Sequence, residues 1–251
     1  MKAAHRQLRI RELIENREFI DLETLCREFD ASESSIRRDL SQLEQQCVLK
    51  RVHGGALAIG TRNPLLDFRW QSGRNAVEKQ RIAKLTATLI EDGQTVILDG
   101  GSTTAAVASE LADRFLNIIT NSLAIAEIFK NARQIELTLT GGFLYPRLEI
   151  MLGPLCENML AGVTADALIM GIGGVTESGF SNNNTLLVGS ERRMIDASRK
   201  VIIVADHTKF GKAAMVHLAQ LDAANIVVSD ADLAPEHQQM LKSRGIQVLI
   251  A

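Results

Sequence analysis

The sequence predicts an α/β protein in two parts: a short helical segment closed by a hairpin, then a larger α/β domain with a mostly parallel sheet. Three observations carry this. Residues 1–56 repeat apolar side chains at helical spacings of three and four. From about residue 75, seven short apolar runs alternate with helical stretches, the pattern of βαβ units. Most of those runs are nearly continuous in Val, Ile, Leu and Ala, as expected of strands covered on both faces. The predicted division is 1–56 for the first domain, 57–74 for a linker and 75–251 for the second domain. With 251 residues, 46% hydrophobic and 23% charged, the chain can bury a sizeable core and has an ordinary globular composition.

Ile10, Leu13 and Ile14 put an apolar stripe on a helix from about 4 to 17. Phe19-Ile20 is a brief extended piece. Asp21 is a good N-cap for a helix carrying Leu22, Leu25, Cys26 and Phe29 on one face. Asp30-Ala31 is a turn, and Ser32 caps the next helix, with Ile36, Leu40 and Leu43 inward. Val48 to Val52 alternates like a strand, and His53-Gly54-Gly55 turns it back. Residues 57–74 carry Gly60, Asn63, Pro64 and Gly73 without a clear period, and Trp70 is expected to pin this linker onto a domain.

The second domain opens with a helix bearing Ile82, Leu85 and Leu89. Its strands are predicted at 95–99, 117–120, 135–140, 167–170, 200–205, 225–229 and 246–250. Helices are expected between most of them, among them 103–114, 122–131, 186–199 and 234–244.

Composition excludes several classes. The formal net charge is -2, so the chain is not a generally basic, histone-like protein. A local basic face is still enough to bind nucleic acid. Residues 1–56 hold ten Lys/Arg and ten Asp/Glu, so any such face must arise from arrangement. Cys26, Cys47 and Cys156 are widely spaced and include no CxxC, which argues against a zinc module or a disulfide framework. No metal or cofactor is expected, and a reducing, cytoplasmic setting fits. The polar start does not read as a secretory leader, and no stretch approaches 18 apolar residues, so no membrane partner is expected.

The helix from Ser32 carries the first chemistry. Ser34, Arg38, Ser41, Gln42 and Gln45 face outward, with Ser35 and Arg37 on the flanks. Arginine bridges guanine edges and glutamine pairs with adenine, while serines and a helix start suit phosphate oxygens. A short helix, a tight turn and this second helix form a helix-turn-helix, and Lys50, Arg51 and His53 form a basic wing behind it. The DNA-binding candidates are Ser32, Ser34, Ser35, Arg37, Arg38, Ser41, Gln42, Lys50, Arg51 and His53. An isolated Arg-Arg pair is more often a solvated helix face; its place in this arrangement shifts the reading to double-stranded DNA. Asp39 is expected to pair with one of the two arginines or to cap a neighbour.

In the second domain, Asp99, Gly100, Gly101, Ser102, Thr103 and Thr104 follow the first strand and open a helix. Small residues and hydroxyls at a helix N-terminus suit an anion, although an ordinary tight turn has the same composition. Thr120 and Asn121, Gly141 and Gly142, Gly171, and Lys209 stand at further strand ends, where ligands of open α/β sheets bind. Lys209 can offset phosphate charge, and Asp99 and Asn121 can bind hydroxyls. Gly173 and Gly174 read as tight turns, His207 as structural or exposed, and Glu191 with Arg192-Arg193 as a solvated face, with Glu191 lining the pocket as the alternative.

Ser34-Ser35-Ile36-Arg37-Arg38-Asp39-Leu40, then Leu43, then Leu49-Lys50-Arg51-Val52-His53-Gly54-Gly55-Ala56, resembles the N-terminal signature of DeoR-type bacterial transcriptional regulators. The resemblance implies that the helix with the Ile-Arg-Arg-Asp-Leu run is the recognition helix of a winged helix-turn-helix. Cys47 stands where that family usually has Gly, so the helix end is expected to differ slightly. The runs Asp99 to Thr104, Thr120-Asn121, Thr140-Gly141-Gly142, Asp166 with Gly171 and Gly174, and Asp206 to Gly211 resemble the effector-binding domain of the same family. That implies a fold similar to sugar-phosphate isomerases and coenzyme A transferases, a phosphorylated sugar or related metabolite as effector, and a homodimer or homotetramer. Asp206 and Lys209 match the Asp-x-Ser-Lys-Phe-Gly pattern of the family, with Thr208 in place of Ser.

The expected function is a transcriptional regulator, a repressor of a carbohydrate-metabolism operon, controlled by the bound metabolite. An enzyme of sugar-phosphate isomerisation is the rival. No strong acid/base pair stands out for it, and an enzyme has no need of the helix-turn-helix. A protein-binding winged helix is disfavoured by the arginine-rich face.

Overall fold

Helix α1 (Ala3–Glu15) is held by Ile10 and Ile14, one turn apart and both buried. The structure, a computed structural model, describes residues 3–15, 19–46, 48–52, 54–58 and 68–251. Strand β1 (Phe19–Asp21) ends in the cap of α2 (Leu22–Phe29): the Asp21 carboxylate accepts from the Thr24 N–H at 2.7 Å. Asp30 closes α2 with φ 45°, in the left-handed region. Ser32 caps α3 (Glu33–Gln45), accepting from the Ser35 N–H at 3.4 Å. Strands β2 (Leu49–Val52) and β3 (Gly55–Ala58) form the hairpin, and β1 joins its far side in the order β1-β3-β2. That third strand is only three residues long, too short to show a period in sequence. Leu25, Ile36, Leu40, Leu43, Leu49 and Ala56 complete one core with Ile10 and Ile14.

The hairpin runs two residues into the segment read as a linker, and α4 (Phe68–Gly73) occupies its end. Residues 59–67, Cys47 and His53 lie outside the described residues, as do the side chains of Lys50 and Trp70. The expectations placed on the Cys47 helix end, the His53 and Lys50 wing contacts and the Trp70 anchor therefore fall there. The chain forms two compact units, Met1–Trp70 and Gln71–Ala251.

In the second unit all seven predicted strands form. They are β4 (Thr95–Leu98), β5 (Leu116–Thr120), β6 (Ile135–Leu139), β9 (Ala167–Met170), β12 (Val201–Val204), β14 (Ile226–Ser229) and β15 (Gln247–Ile250). They pair in parallel in the order β15-β14-β12-β9-β4-β5-β6. The chain steps from β4 outward to β6, then restarts at β9 and steps the other way. The switch lies between β4 and β9, and open α/β sheets bind ligands beyond the carboxyl ends of the strands at such a point.

The helices α5 (Ala76–Ala87), α6 (Ser102–Leu111), α7 (Leu123–Phe129), α8 (Pro154–Ala161), α9 (Thr185–Asp196) and α10 (Pro235–Ser243) cover this sheet. Ile97, Leu168, Met170, Ile203 and Val227 pack with Cys156, Leu160, Met194 and Leu241 from α8, α9 and α10. The alternate residues Val96, Leu98, Ile169, Ile202 and Val228 are buried too, on the face where α5 meets β12 and β14. The helices are shorter than predicted, by up to a turn. Among the described residues, no helix is long and apolar enough to cross a membrane.

Two small antiparallel sheets were not predicted: β7 (Phe143–Tyr145) with β8 (Ile150–Leu152), and β10 (Gly174–Thr176) with β11 (Gly179–Asn182) and β13 (Val216–Ala219). Gly173 and Gly174 are not tight turns. A Cβ on Gly174 would lie 2.2 Å from the Lys212 carbonyl oxygen, and one on Gly173 would lie 2.7 Å from Asn182 Oδ1. Close backbone passage demands glycine there.

Candidate nucleic-acid interface and ligand pocket

Helix α3 divides as its period requires: Ile36, Leu40 and Leu43 go inward, while Ser34, Arg37, Arg38 and Gln42 are exposed and Ser35 and Ser41 half-buried. The three serines at its start are knit together, Ser32 Oγ lying 3.1 Å from Ser34 Oγ and 2.9 Å from Ser35 Oγ. Arg37 is paired with Glu33 one turn back, Nη2 to Oε1 at 2.6 Å. Arg51 is paired with Glu44 at 2.7 Å, which also accepts the Arg51 N–H. Exposed pairs of this kind contribute about 0–1 kcal/mol, so a phosphate can displace either carboxylate. Arg38 has no partner among the described residues and points its full charge outward. Gln42 accepts from Gln7 of α1.

Asp39 corrects the sequence reading. It pairs with neither adjacent arginine. It is 2% exposed and takes Arg6 Nε at 2.5 Å and Gln7 Nε2 at 2.9 Å, both from α1. The carboxylate thus fixes α3 on α1 from its buried side.

In the second unit, α6 starts at the end of β4 with Gly101 as its N-cap and no side-chain cap. The Ala105 N–H reaches back to Gly101, so the N–H groups of Ser102, Thr103 and Thr104 precede the first intrahelical bond. The Thr104 hydroxyl donates to the Gly101 carbonyl at 2.8 Å. Gly100 is required by packing: a Cβ there would lie 2.2 Å from Ile150 Cγ2 of β8. Gly141 and Gly142 turn with φ 70° and 117° after β6. Thr120 is consumed by the fold, donating to the Leu98 carbonyl at 2.6 Å and accepting from the Ser122 N–H at 3.1 Å. Asn121 is different: it is 0% exposed and both polar atoms of its amide lack a partner.

Two clusters of charge sit at these strand ends. After β12, Asp206 caps the short helical turn His207–Lys209, and Lys209, Lys79 of α5, Arg74 and Lys212 interact around it. Burial pushes the Lys79 ammonium down to about 8; Lys209 and Arg74 push the same way, and Asp206 opposes them. Burial likewise lowers Lys209. Three lysines and an arginine around Asp206, with Glu78 beside Lys79, leave a positive surplus that an anion can satisfy. His207, read as structural or exposed, is held by Asp230 through Nδ1 at 2.9 Å.

The second cluster was not legible as such. Glu191 is 0% exposed, which overturns its reading as part of a solvated face and leaves the alternative of a pocket-lining residue, and its neighbour Arg192 ties α9 to β13 by donating to the His217 and Leu218 carbonyls. Glu191 accepts from Asn182 Nδ2 at 2.5 Å. Burial and the Asp99 charge push its pKa well up. Burial raises Asp99 to about 7 against the N–H groups of Gly100 and Gly171, which lower it. The sequence showed no strong acid pair because these two carboxyls are far apart along the chain.

A folded-state pKa above the unfolded value gives stability that is full below the unfolded pKa and lost as pH rises through the folded one. Asp99 moves from 3.8 to about 7. The melting temperature of the wild-type protein should therefore fall relative to that of Asp99→Asn between about pH 4 and pH 7. Parallel pH profiles of the two melting temperatures would overturn this.

Residues 6–62 match the DeoR-like helix-turn-helix domain, and residues 74–231 match the DeoR C-terminal sensor domain. The chain is 31% identical over 249 residues to the HTH-type transcriptional regulator YulB of Bacillus subtilis (strain 168), covering 99% of this chain and 96% of that one. It is 32% identical over 253 residues to the glycerol-3-phosphate regulon repressor of Escherichia coli (strain K12), covering 99% of each. Among solved structures, ribose 5-phosphate isomerase A of Methanocaldococcus jannaschii matches with a TM-score of 0.41 at 19% identity, over 54% of this chain and 55% of that one.

Proposed function

The chain belongs to the DeoR family of transcriptional regulators and is not an enzyme, and on that premise we propose that it represses a carbohydrate-metabolism operon under the control of a phosphorylated sugar or related metabolite. The observation that carries this is the outward face of α3, where, among the described residues, Arg38 stands unpaired and Arg37 is held by an exposed carboxylate. Ser32, Ser34 and Ser35 would meet phosphate oxygens, Arg37, Arg38, Ser41 and Gln42 the major groove, and Lys50, Arg51 and His53 the flanking backbone. In a homodimer or homotetramer, two such units would read paired half-sites.

The metabolite would sit at the strand ends of the second unit. Its phosphate would take the α6 N-terminus at Ser102 to Thr104 or the Lys209 surplus, beside the glycines 100, 101, 141, 142 and 171. Asp99 and Asn121 would face the sugar, with Thr120 holding the strand end behind them. Binding there would shift the population between DNA-competent and DNA-incompetent arrangements. Residues 1–56 would read DNA, 57–74 would tether, and 75–251 would sense. The described cysteines Cys26 and Cys156 are free thiols, which fits the cytoplasm.

Gel shift on DNA upstream of its own gene tests the reading. The wild-type protein should retard that DNA, and a sugar phosphate should release it. Lys209→Gln should retard DNA equally but need at least about tenfold more sugar phosphate for release, the loss of one charge-assisted contact. Equal sensitivity of wild type and Lys209→Gln would remove Lys209 from the site.

A further inference from the structure

The pocket end of the second unit has more unmet hydrogen-bonding capacity than an anion site needs. Asp99 Oδ1, both polar atoms of the Asn121 amide, Ser190 Oγ and Glu191 Oε2 are buried without a partner. Asp99 is 2% exposed and the other three side chains 0%. They converge from three elements. Asn121 Oδ1 would lie 3.4 Å from a Cβ on Gly100, the residue next to Asp99. Ser190 and Glu191 are neighbours on α9, and Glu191 lies within the field of Asp99. The Cys156 thiol lies beside Ser190 and within the field of Asp99. Among the described residues, no Lys, Arg or His pairs with either carboxyl.

A fold gains nothing from leaving these atoms unmet, and apolar residues of the same size would pack there at lower cost. Such sets persist where something outside the chain satisfies them. We propose that Asp99, Asn121, Ser190 and Glu191 form the subsite for the uncharged polyhydroxyl part of the ligand, with Glu191 deciding which hydroxylated ligands are accepted. The inference rests on the ligand pocket proposed above and names the chemistry of its second half. Each hydroxyl both donates and accepts, and this set offers acceptors on the carboxyls and both functions on the amide and the serine. An alkyl group would leave every one of these atoms unmet. A second anionic group would meet two carboxyls with no cation beside them.

The test uses the full chain and a fixed set of probes: glycerol 3-phosphate, ribose 5-phosphate, glucose 6-phosphate, their unphosphorylated parents, n-propyl phosphate and inorganic phosphate. Melting shifts find the binders and calorimetry measures their affinities. At least one hydroxylated phosphate ester should bind at least about tenfold more tightly than n-propyl phosphate. Glu191→Gln keeps the shape and the Asn182 contact while replacing a buried ionisable carboxyl with an amide. It should raise the melting temperature of the unliganded protein yet weaken the preferred ester at least about tenfold, closing the gap to n-propyl phosphate. Ser190→Ala should weaken the same ester several-fold and serves where Glu191→Gln does not fold. If n-propyl phosphate binds as tightly as the hydroxylated esters, or both variants bind the preferred ester as the wild type does, the subsite is overturned. If only unphosphorylated sugars bind, the phosphate reading fails and the hydroxyl subsite stands. No binding by any probe overturns both.

Discussion

Arg37→Ala combined with Arg38→Ala is expected to weaken operator binding by about 100-fold or more while leaving the fold intact. Arg38 is exposed and unpaired among the described residues, so truncating it removes no internal contact. Arg37 loses only its exposed pair with Glu33. Surface changes of this kind stay within about 0.5 kcal/mol of wild-type stability. On DNA the same side chains are worth far more, about 1–3 kcal/mol for each well-placed base contact. Arg38→Ala alone should account for most of the loss, because Arg37 must first leave Glu33. If either arginine touches phosphate, the slope of log affinity against log salt should fall by about one for its loss. Fluorescence anisotropy across a salt series measures both numbers. Unchanged affinity in the double variant would end the assignment of α3 as the recognition helix.

Asp39→Ala should have an equally large effect on DNA binding by the opposite route. Its carboxylate is buried and holds Arg6 and Gln7 of α1 against α3. Removing one partner of such a pair costs about 3–5 kcal/mol when both are fully buried, and about 2–4 kcal/mol here, where the Arg6 side chain keeps 13% exposure. A unit of this size has only a few kcal/mol to lose, so the first unit should melt early and DNA binding should vanish with Arg37 and Arg38 intact. Calorimetry of Asp39→Ala should show the first unit melting early and the transition of the second unit retained. Replacing Asp39 and Arg6 together with Leu and Met should recover much of the loss, since an apolar pair avoids the stranded charge. An unshifted transition in Asp39→Ala would mean that α1 and α3 are held by their isoleucines and leucines alone.

Asp39 departs from its expected pairing for the same reason that Glu191 departs from a solvated face. Arg37, Arg38 and Asp39 are adjacent in sequence, and adjacency suggests pairing. On a helix, however, Asp39 stands three after Ile36 and four before Leu43, on the buried face. Glu191 stands three after Val188 and three before Met194, both buried. Lys79, absent from the candidate residues altogether, stands three before Ile82 and seven before Thr86, both buried. In each case the signal was present: a charged residue in register with an apolar stripe. The period that marks the core also marks which charges a helix carries inward.

The strands divide by length. Runs such as Val201 to Val204 and Ile226 to Ser229 are buried throughout and β-branched, so four residues suffice to mark them. Strands β7, β8, β10 and β11 are three or four residues long, and β10 and β11 each begin with glycine. They exist through pairing with each other and with β13, which no local window contains. Gly100 shows the same limit: its composition suggested an anion cradle, whereas its nearest demand comes from Ile150, fifty residues away in β8.

By itself, the sequence determined the helix-turn-helix, its caps at Asp21 and Ser32, the outward face of α3 and the seven parallel strands with their polar ends. All of these follow from periodicity and capping, which are short-range and therefore written in neighbouring residues. Only the tertiary structure decided that Asp39 clamps α1, that Lys79 joins Lys209 and Asp206, and that Asp99 and Glu191 share a buried site with no cation among the described residues. The physical reason is that burial and electrostatic coupling depend on which distant groups share a low-dielectric space. Strand order and helix packing assign that space, and the spacing of residues along the chain does not.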